Sequence, residues 1–127
     1  MPLLNWKRKS STRQTGNAGE DAALAHLQAA GMALVTRNYR TPGRGGGEID
    51  LVMRAPDGTL LFVEVRARSG AAQGGAAATV GAVKQQRLVR AAQHYLMRLA
   101  TPPPCRFDVV AIDGGHIEWL RGAFDAG

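Results

Sequence analysis

Cysteine, long apolar runs and N-terminal acids are all scarce in this sequence, and each scarcity excludes something. Cysteine occurs once, at Cys105, so neither a disulfide framework nor a thiolate metal cluster can be built. Lying just before Arg106-Phe107-Asp108, that thiol reads as a small buried residue rather than a nucleophile. No stretch approaches the roughly 18 apolar residues of a membrane-spanning helix. The N-terminus lacks the apolar centre and cleavage site of a secretory signal. A reducing, cytoplasmic setting with no membrane partner is the expectation. The glycine-rich residues 42–47 lack the Lys-Ser/Thr ending of a phosphate loop. No internal repeat and no boundary between folded domains is visible.

What is present is a basic chain of one-domain size. Its 127 residues hold 16 Lys and Arg against 10 Asp and Glu, a net charge of +6. The first thirteen residues contain no acid and four of those cations, Lys7, Arg8, Lys9 and Arg13. Without them the balance is 12 against 10, or +2. The excess is therefore largely an arm, residues 1–16, on a nearly balanced domain, residues 17–127. A basic, Ser/Thr-rich arm of this kind is expected to be disordered. It serves either as a contact for nucleic-acid phosphates or as a solubilising tail.

Hydrophobic periodicity places the elements. A helix is predicted over residues 17–30, with Asn17 as N-cap, Glu20 in the capping-box position and Gly31 at the C′ position. Residues 32–40 alternate as a strand. Residues 48–53 and 59–66 form a hairpin around the turn Ala55-Pro56-Asp57-Gly58. Residues 69–81, rich in Gly and Ala, read as a mobile loop, either a lid or a linker. A second helix is predicted over residues 79–100, stopped by Pro102-Pro103-Pro104. Residues 105–112 and 116–120 form a closing hairpin about Gly114-Gly115.

The central hairpin carries the chemistry. In its second strand Leu61, Val63 and Val65 share one face, and Leu60, Phe62, Glu64 and Arg66 share the other. Both faces are apolar as far as Phe62, the pattern of a strand covered on both sides. Glu64 therefore ends a core face, and Asp50 sits inside an equally apolar strand. Buried charge is costly unless something binds it. The pair is either a structural ion pair with Arg66 or Arg54, or two hard oxygen ligands for a divalent cation. Glu20 lines up with Ala23, Leu24 and Leu27 on its helix, so it either closes the capping box or points to the same site. Lys84 and Gln85 fall in the apolar sector of the second helix, at the end nearest the site, where they face inward or snorkel. The glycine loop is either a plain hairpin loop or a backbone approach to phosphate with Arg44 beside it, and Arg68 and Arg87 complete the candidate phosphate contacts. Asp108 is read as the partner of Arg106 or of a helix residue.

Asp50 followed across a hairpin by Glu64-Val65-Arg66 resembles the signature of the PD-(D/E)xK nuclease superfamily, with Arg66 where that superfamily usually has Lys. Six blocks then resemble, in order, those of the YraN-like family of small bacterial proteins. They are Gly19-Glu20-Asp21-Ala22-Ala23, Arg37-Asn38-Tyr39-Arg40, Gly47-Glu48-Ile49-Asp50, Phe62-Val63-Glu64-Val65-Arg66, Lys84-Gln85-Gln86-Arg87-Leu88 and Arg106-Phe107-Asp108-Val109-Val110. The resemblance spans about residues 16–124. It implies an α/β fold with the αβββαβ restriction-endonuclease-like core, similar to archaeal Holliday-junction resolvases. It also implies a metal-dependent endonuclease site using Mg²⁺ or Mn²⁺. On it, Asp50, Glu64 and the Val65 carbonyl are the metal ligands, Glu20 is an auxiliary acid, and Lys84 and Gln85 are helix residues facing the site. The implied partner is nucleic acid, DNA before RNA, and junction cutting would favour a two-fold homodimer. Two other classes stay open on the residues: a nucleic-acid-binding module whose site has decayed at Arg66, and a small protein-interaction domain docking through its basic arm.

Overall fold

The computed structural model describes residues 11–43, 46–68 and 80–125, with residues 11–17 and 68 described by backbone alone. The elements are α1 (Ser11–Ala29), β1 (Ala33–Arg40), β2 (Glu48–Arg54), β3 (Leu60–Arg68), α2 (Ala82–Leu96), β4 (Cys105–Asp113) and β5 (His116–Phe124). All five strands form one sheet in the order β1-β2-β3-β4-β5. The β3–β4 pair is parallel and the other three are antiparallel. A parallel neighbour requires a crossover, and α2 supplies it. This is the α/β arrangement expected from the sequence.

The two faces of the sheet are covered separately. Ala23 and Leu27 of α1 pack with Leu51, Met53, Leu61, Val63 and Val110. Leu88, Ala91, Ala92 and Tyr95 of α2 pack with Ile49, Val52, Leu60, Phe62 and Phe107. Alternate residues of β3 thus belong to opposite cores, as the two-sided pattern of that strand requires. At the hairpin turn the Ala55 N–H donates to the Thr59 carbonyl at 2.8 Å and the Thr59 N–H donates to Asp57 Oδ1 at 3.0 Å. Gly58 takes φ +95°, which L side chains rarely adopt.

Several boundaries differ from the sequence reading. The N-terminal helix begins at Ser11, not Asn17. Residues 11–16 are therefore helix rather than arm, and residues 1–10 lie outside the described residues. A capping motif inside a helical run permits a start without imposing one. Running through Gly16 and Asn17 costs only about 1 kcal/mol each. The other end is as predicted: Gly31 at φ +99° stops α1, its N–H donating to the Gln28 carbonyl and that of Met32 to Leu27. That is a Schellman closure. Helix α2 is shorter than expected, starting after Gly81, while β5 runs four residues further, to Phe124. Cys105 is exposed rather than buried, because the first residues of β4 precede the part of the strand that lies in the core. The expected loop over residues 69–81 lies outside the described residues up to residue 79.

Candidate functional site

The site is built where β2 leaves β3. Antiparallel pairing runs from Arg54–Leu60 to Leu51–Val63 and ends there. Asp50 and Glu64 are the next residues on the two strands. Asp50 replaces the missing ladder bond with its side chain: Oδ2 accepts the Val65 N–H at 2.8 Å. In an extended strand a residue's N–H and C=O project to the same edge, so the Val65 carbonyl also faces β2. The pleat is broken here as well. Ile49 packs in the α2-side core, while Leu51, two residues on, packs in the α1-side core. Strict alternation would put both on one face.

The other neighbour of Asp50 is distorted too. Asn38 of β1 falls opposite Asp50, between the pairs Arg37–Leu51 and Tyr39–Ile49. Among the described residues it is the one non-glycine with positive φ, +54°. That conformation costs an ordinary L residue about 1–2 kcal/mol and is tolerated best by Asn and Asp. Its Nδ2 donates to Glu20 Oε1 at 3.4 Å. Sequence reading missed Asn38; an Asn inside an otherwise alternating strand was the available signal.

Electrostatics mark the site as short of positive charge. Burial pushes the Asp50 carboxyl up to about 7, with further upward pressure from Glu64, Glu20 and Glu48, against the downward pull of the Val65 N–H. Glu64 is 3% exposed, and its Oε2 lies 3.0 Å from Lys84 Nζ. Lys84 is itself half exposed, so it reaches the buried acid from the solvent side with its ammonium. Of the two alternatives left open for Asp50 and Glu64, pairing with Arg66 or Arg54 does not occur. The Arg66 side chain forms no ion pair or hydrogen bond with the described residues, and Arg54 donates to the Gly58 carbonyl at 3.4 Å, at the far end of the hairpin.

The remaining candidates separate. Glu20 is 14% exposed on the inward face of α1, but Arg37 Nη2 at 3.3 Å engages its carboxylate. Arg37 also pairs with Asp21 at 2.9 Å. Among the described residues no group of three or more Asp, Glu, His or Cys is assembled for a metal, so Glu20 is not drawn into one set with Asp50 and Glu64. Gln85 turns to the Val80 carbonyl, donating at 2.8 Å. It lines a cavity of about 450 Å³ bounded by residues of β5. Arg87 donates from Nε to the Gly46 carbonyl at 3.3 Å. Lys7, Arg8, Lys9 and Arg44 lie outside the described residues. Arg13 and Arg68 are placed by backbone only, in α1 and at the end of β3.

Asp108 is the other buried acid, fully excluded from solvent. Arg106 Nε donates to both its oxygens at 3.0 and 3.2 Å. Trp119 Nε1 donates to Oδ2 and the Gly122 N–H to Oδ1, each at 2.9 Å. The expected Arg106 pairing holds, and the charge is fully answered.

A five-stranded mixed sheet between two helices, with an Asp–Glu pair at the parting of the second and third strands, is consistent with a restriction-endonuclease-like core. The chain belongs to the uncharacterised protein family UPF0102, which matches residues 19–112. It is 67% identical over 116 residues to a UPF0102 protein of Acidovorax sp. (strain JS42), covering 91% of this chain and 88% of the relative. It is 63% identical over 120 residues to one from Paracidovorax citrulli (strain AAC00-1), covering 94% and 89%. A third, UPF0102 protein Mpe_A3766 of Methylibium petroleiphilum (strain ATCC BAA-1232 / LMG 22953 / PM1), is 66% identical over 119 residues, covering 91% and 98%. No described helix is long and apolar enough to cross a membrane.

Proposed function

We propose that this protein is a metal-dependent endonuclease acting on DNA, branched forms included. The observation that carries this reading is the buried Asp50–Glu64 pair, faced by the single ammonium of Lys84. Two buried carboxylates on adjacent strands that raise each other's cost of ionisation are destabilising to the fold, and a divalent cation removes that cost. The donor set fits one: hard oxygens from Asp50 and Glu64, with the Val65 carbonyl directed to the same strand edge. Bound there, Mg²⁺ or Mn²⁺ would acidify a water and neutralise charge on the phosphate.

The chain's own residues have separable tasks. Asp50, anchored by the Val65 N–H, holds the β2 end of the site in place. Lys84, with its ammonium at Glu64, can donate to a water beside that carboxylate and orient it for attack. A guanidinium offers donors only, so Arg66 does not serve as a base. Its planar fork suits a phosphate oxygen, and it has no described protein partner competing for it. A DNA-binding module without hydrolysis is the second reading, favoured by Arg66 at the position where the superfamily usually carries Lys.

The test is cleavage of duplex and four-way-junction DNA in Mg²⁺, Mn²⁺ and EDTA, alongside thermal unfolding with and without each metal. Wild type should cut only with metal and melt higher in its presence, and Asp50→Ala should lose both responses. Lys84→Ala should reduce cleavage to background, whereas Arg66→Lys should change it little. Cleavage that survives Asp50→Ala would point to a contaminant. A wild type that binds DNA but cuts no substrate would leave the binding module as the function.

A further inference from the structure

Beside the acid pair lies a polar cleft of about 300 Å³, lined by Arg40, Thr41, Gly43, Gly46, Gly47, Glu48 and Arg87. It is held open by packing that only glycine permits. A Cβ on Gly47 would fall on the carbonyl of Arg87, and one on Gly46 would meet Thr41 Oγ1 at 2.6 Å. Backbone and side chain of Thr41 then close the loop: its N–H donates to the Gly47 carbonyl at 3.0 Å, and the Gly47 N–H donates to Thr41 Oγ1 at 2.6 Å. The glycines of this loop are thus packing glycines that bring β2 against α2.

The cleft has the charge of an anion site. Arg40 and Arg87 are both exposed, and the one acid in the lining, Glu48, is loosely matched to Arg40 at 3.7 Å. One net positive charge remains, which suits a phosphodiester monoanion. The cleft shares Glu48 and Arg87 with a small cavity of about 30 Å³ that Lys84 and Leu88 also line, and the Lys84 ammonium is 3.0 Å from Glu64. Lys84 and Arg87 are three residues apart on α2, about one helical turn, so two cations on one helix face serve adjoining sites.

We infer that this cleft is a phosphate subsite: Arg40 and Arg87 grip a phosphodiester of the bound strand, next to the one held at Asp50 and Glu64. The inference rests on the endonuclease reading for its neighbour, but binding alone can test it. On it the bound strand passes the N-terminal half of α2 toward Arg40 at the end of β1.

The experiment measures the affinity of fluorescein-labelled duplex and junction DNA in EDTA across a salt series, with orthophosphate as competitor in a second arm. Arg40→Ala/Arg87→Ala should lower the slope of log K against log salt by about 0.9, the signature of one lost phosphate contact. Arg87→Lys, which keeps the charge, should retain most of the slope. Arg54→Ala, at the opposite end of the hairpin, should match wild type. Circular dichroism should show all variants folded, since the replaced side chains are exposed. A slope unchanged by the double substitution overturns the subsite, even if metal-dependent cleavage is intact. A reduced slope in a protein that cuts nothing supports the subsite and removes the nuclease reading. Orthophosphate that competes with DNA for wild type and Arg40→Ala/Arg87→Ala equally would likewise overturn it, since free phosphate would then be acting elsewhere.

Discussion

Two acids sit in the same sheet, one strand apart from its centre, and their surroundings could hardly differ more. Asp108 on β4 is completely buried and takes hydrogen bonds from Arg106, Trp119 and the Gly122 backbone. Among the described residues Asp50 on β2 takes one, from Val65, and feels the charges of Glu64, Glu20 and Glu48. The backbone differs in the same sense. Around Asp50 the β2–β3 ladder stops, the pleat of β2 breaks, and Asn38 on the neighbouring strand takes a left-handed conformation. A protein selected only for stability would treat both acids like Asp108. A carboxyl pushed toward its neutral form and a left-handed residue beside it concentrate cost at one strand end, which is where functional groups are found more often than elsewhere.

The widest gap should appear on removing each acid. Asp108→Ala strands the guanidinium of Arg106, the indole N–H and a backbone N–H in the sheet. It should cost about 3–5 kcal/mol in urea unfolding. Asp50→Asn, which keeps an acceptor for the Val65 N–H, should be neutral or stabilising in metal-free buffer. Equal losses at the two positions would erase the distinction between them.

The second effect is a pH dependence of opposite sense to that of an ordinary salt-bridged carboxylate. The folded-state value for Asp50 is about 7, against about 3.9 for an unfolded aspartate. Between those values the folded state holds a proton that the unfolded state has released. Stability contributed by this group is therefore complete below about pH 4 and is lost as pH rises through 7. In EDTA, Asp50→Asn should gain on the order of 2 kcal/mol over wild type at pH 8 and nothing at pH 4. A difference that stays constant across this range would show that Asp50 does not carry the proton. Metal should reverse the advantage at pH 8, since ligation requires the carboxylate.

The smallest effect tests the strain. Asn38→Gly should leave stability within about 1 kcal/mol of wild type, whereas Asn38→Val should cost about 1–2 kcal/mol, because a β-branched residue resists the left-handed region. Thermal melts of the two variants make the comparison, and indistinguishable melts would show that β1 relaxes without Asn38.

The sequence by itself determined the order of elements and the two-sided β3, and it offered Asp50 and Glu64 as candidates through their resemblance to a nuclease signature. The order and the two-sided strand rest on local signals: alternation of period 2, a helical stripe and a Pro-Asp-Gly turn. It also placed Lys84 on the right sector of its helix, since a wheel needs only the spacing of side chains along one axis. Only the tertiary structure decided how these residues are shared out. Glu20 is claimed by Arg37, a residue 17 positions away, and Gln85 turns to Val80 and β5 rather than to the acid pair. The start of α1 at Ser11 overrode a local capping signal, and the exposure of Cys105 depends on where the core ends. The left-handed Asn38 and the Gly47–Arg87 contact exist because β1, β2 and α2 meet at one place. Contacts between residues far apart in the chain leave no periodic trace in it, which is why the candidate ligands were legible and the arrangement around them was not.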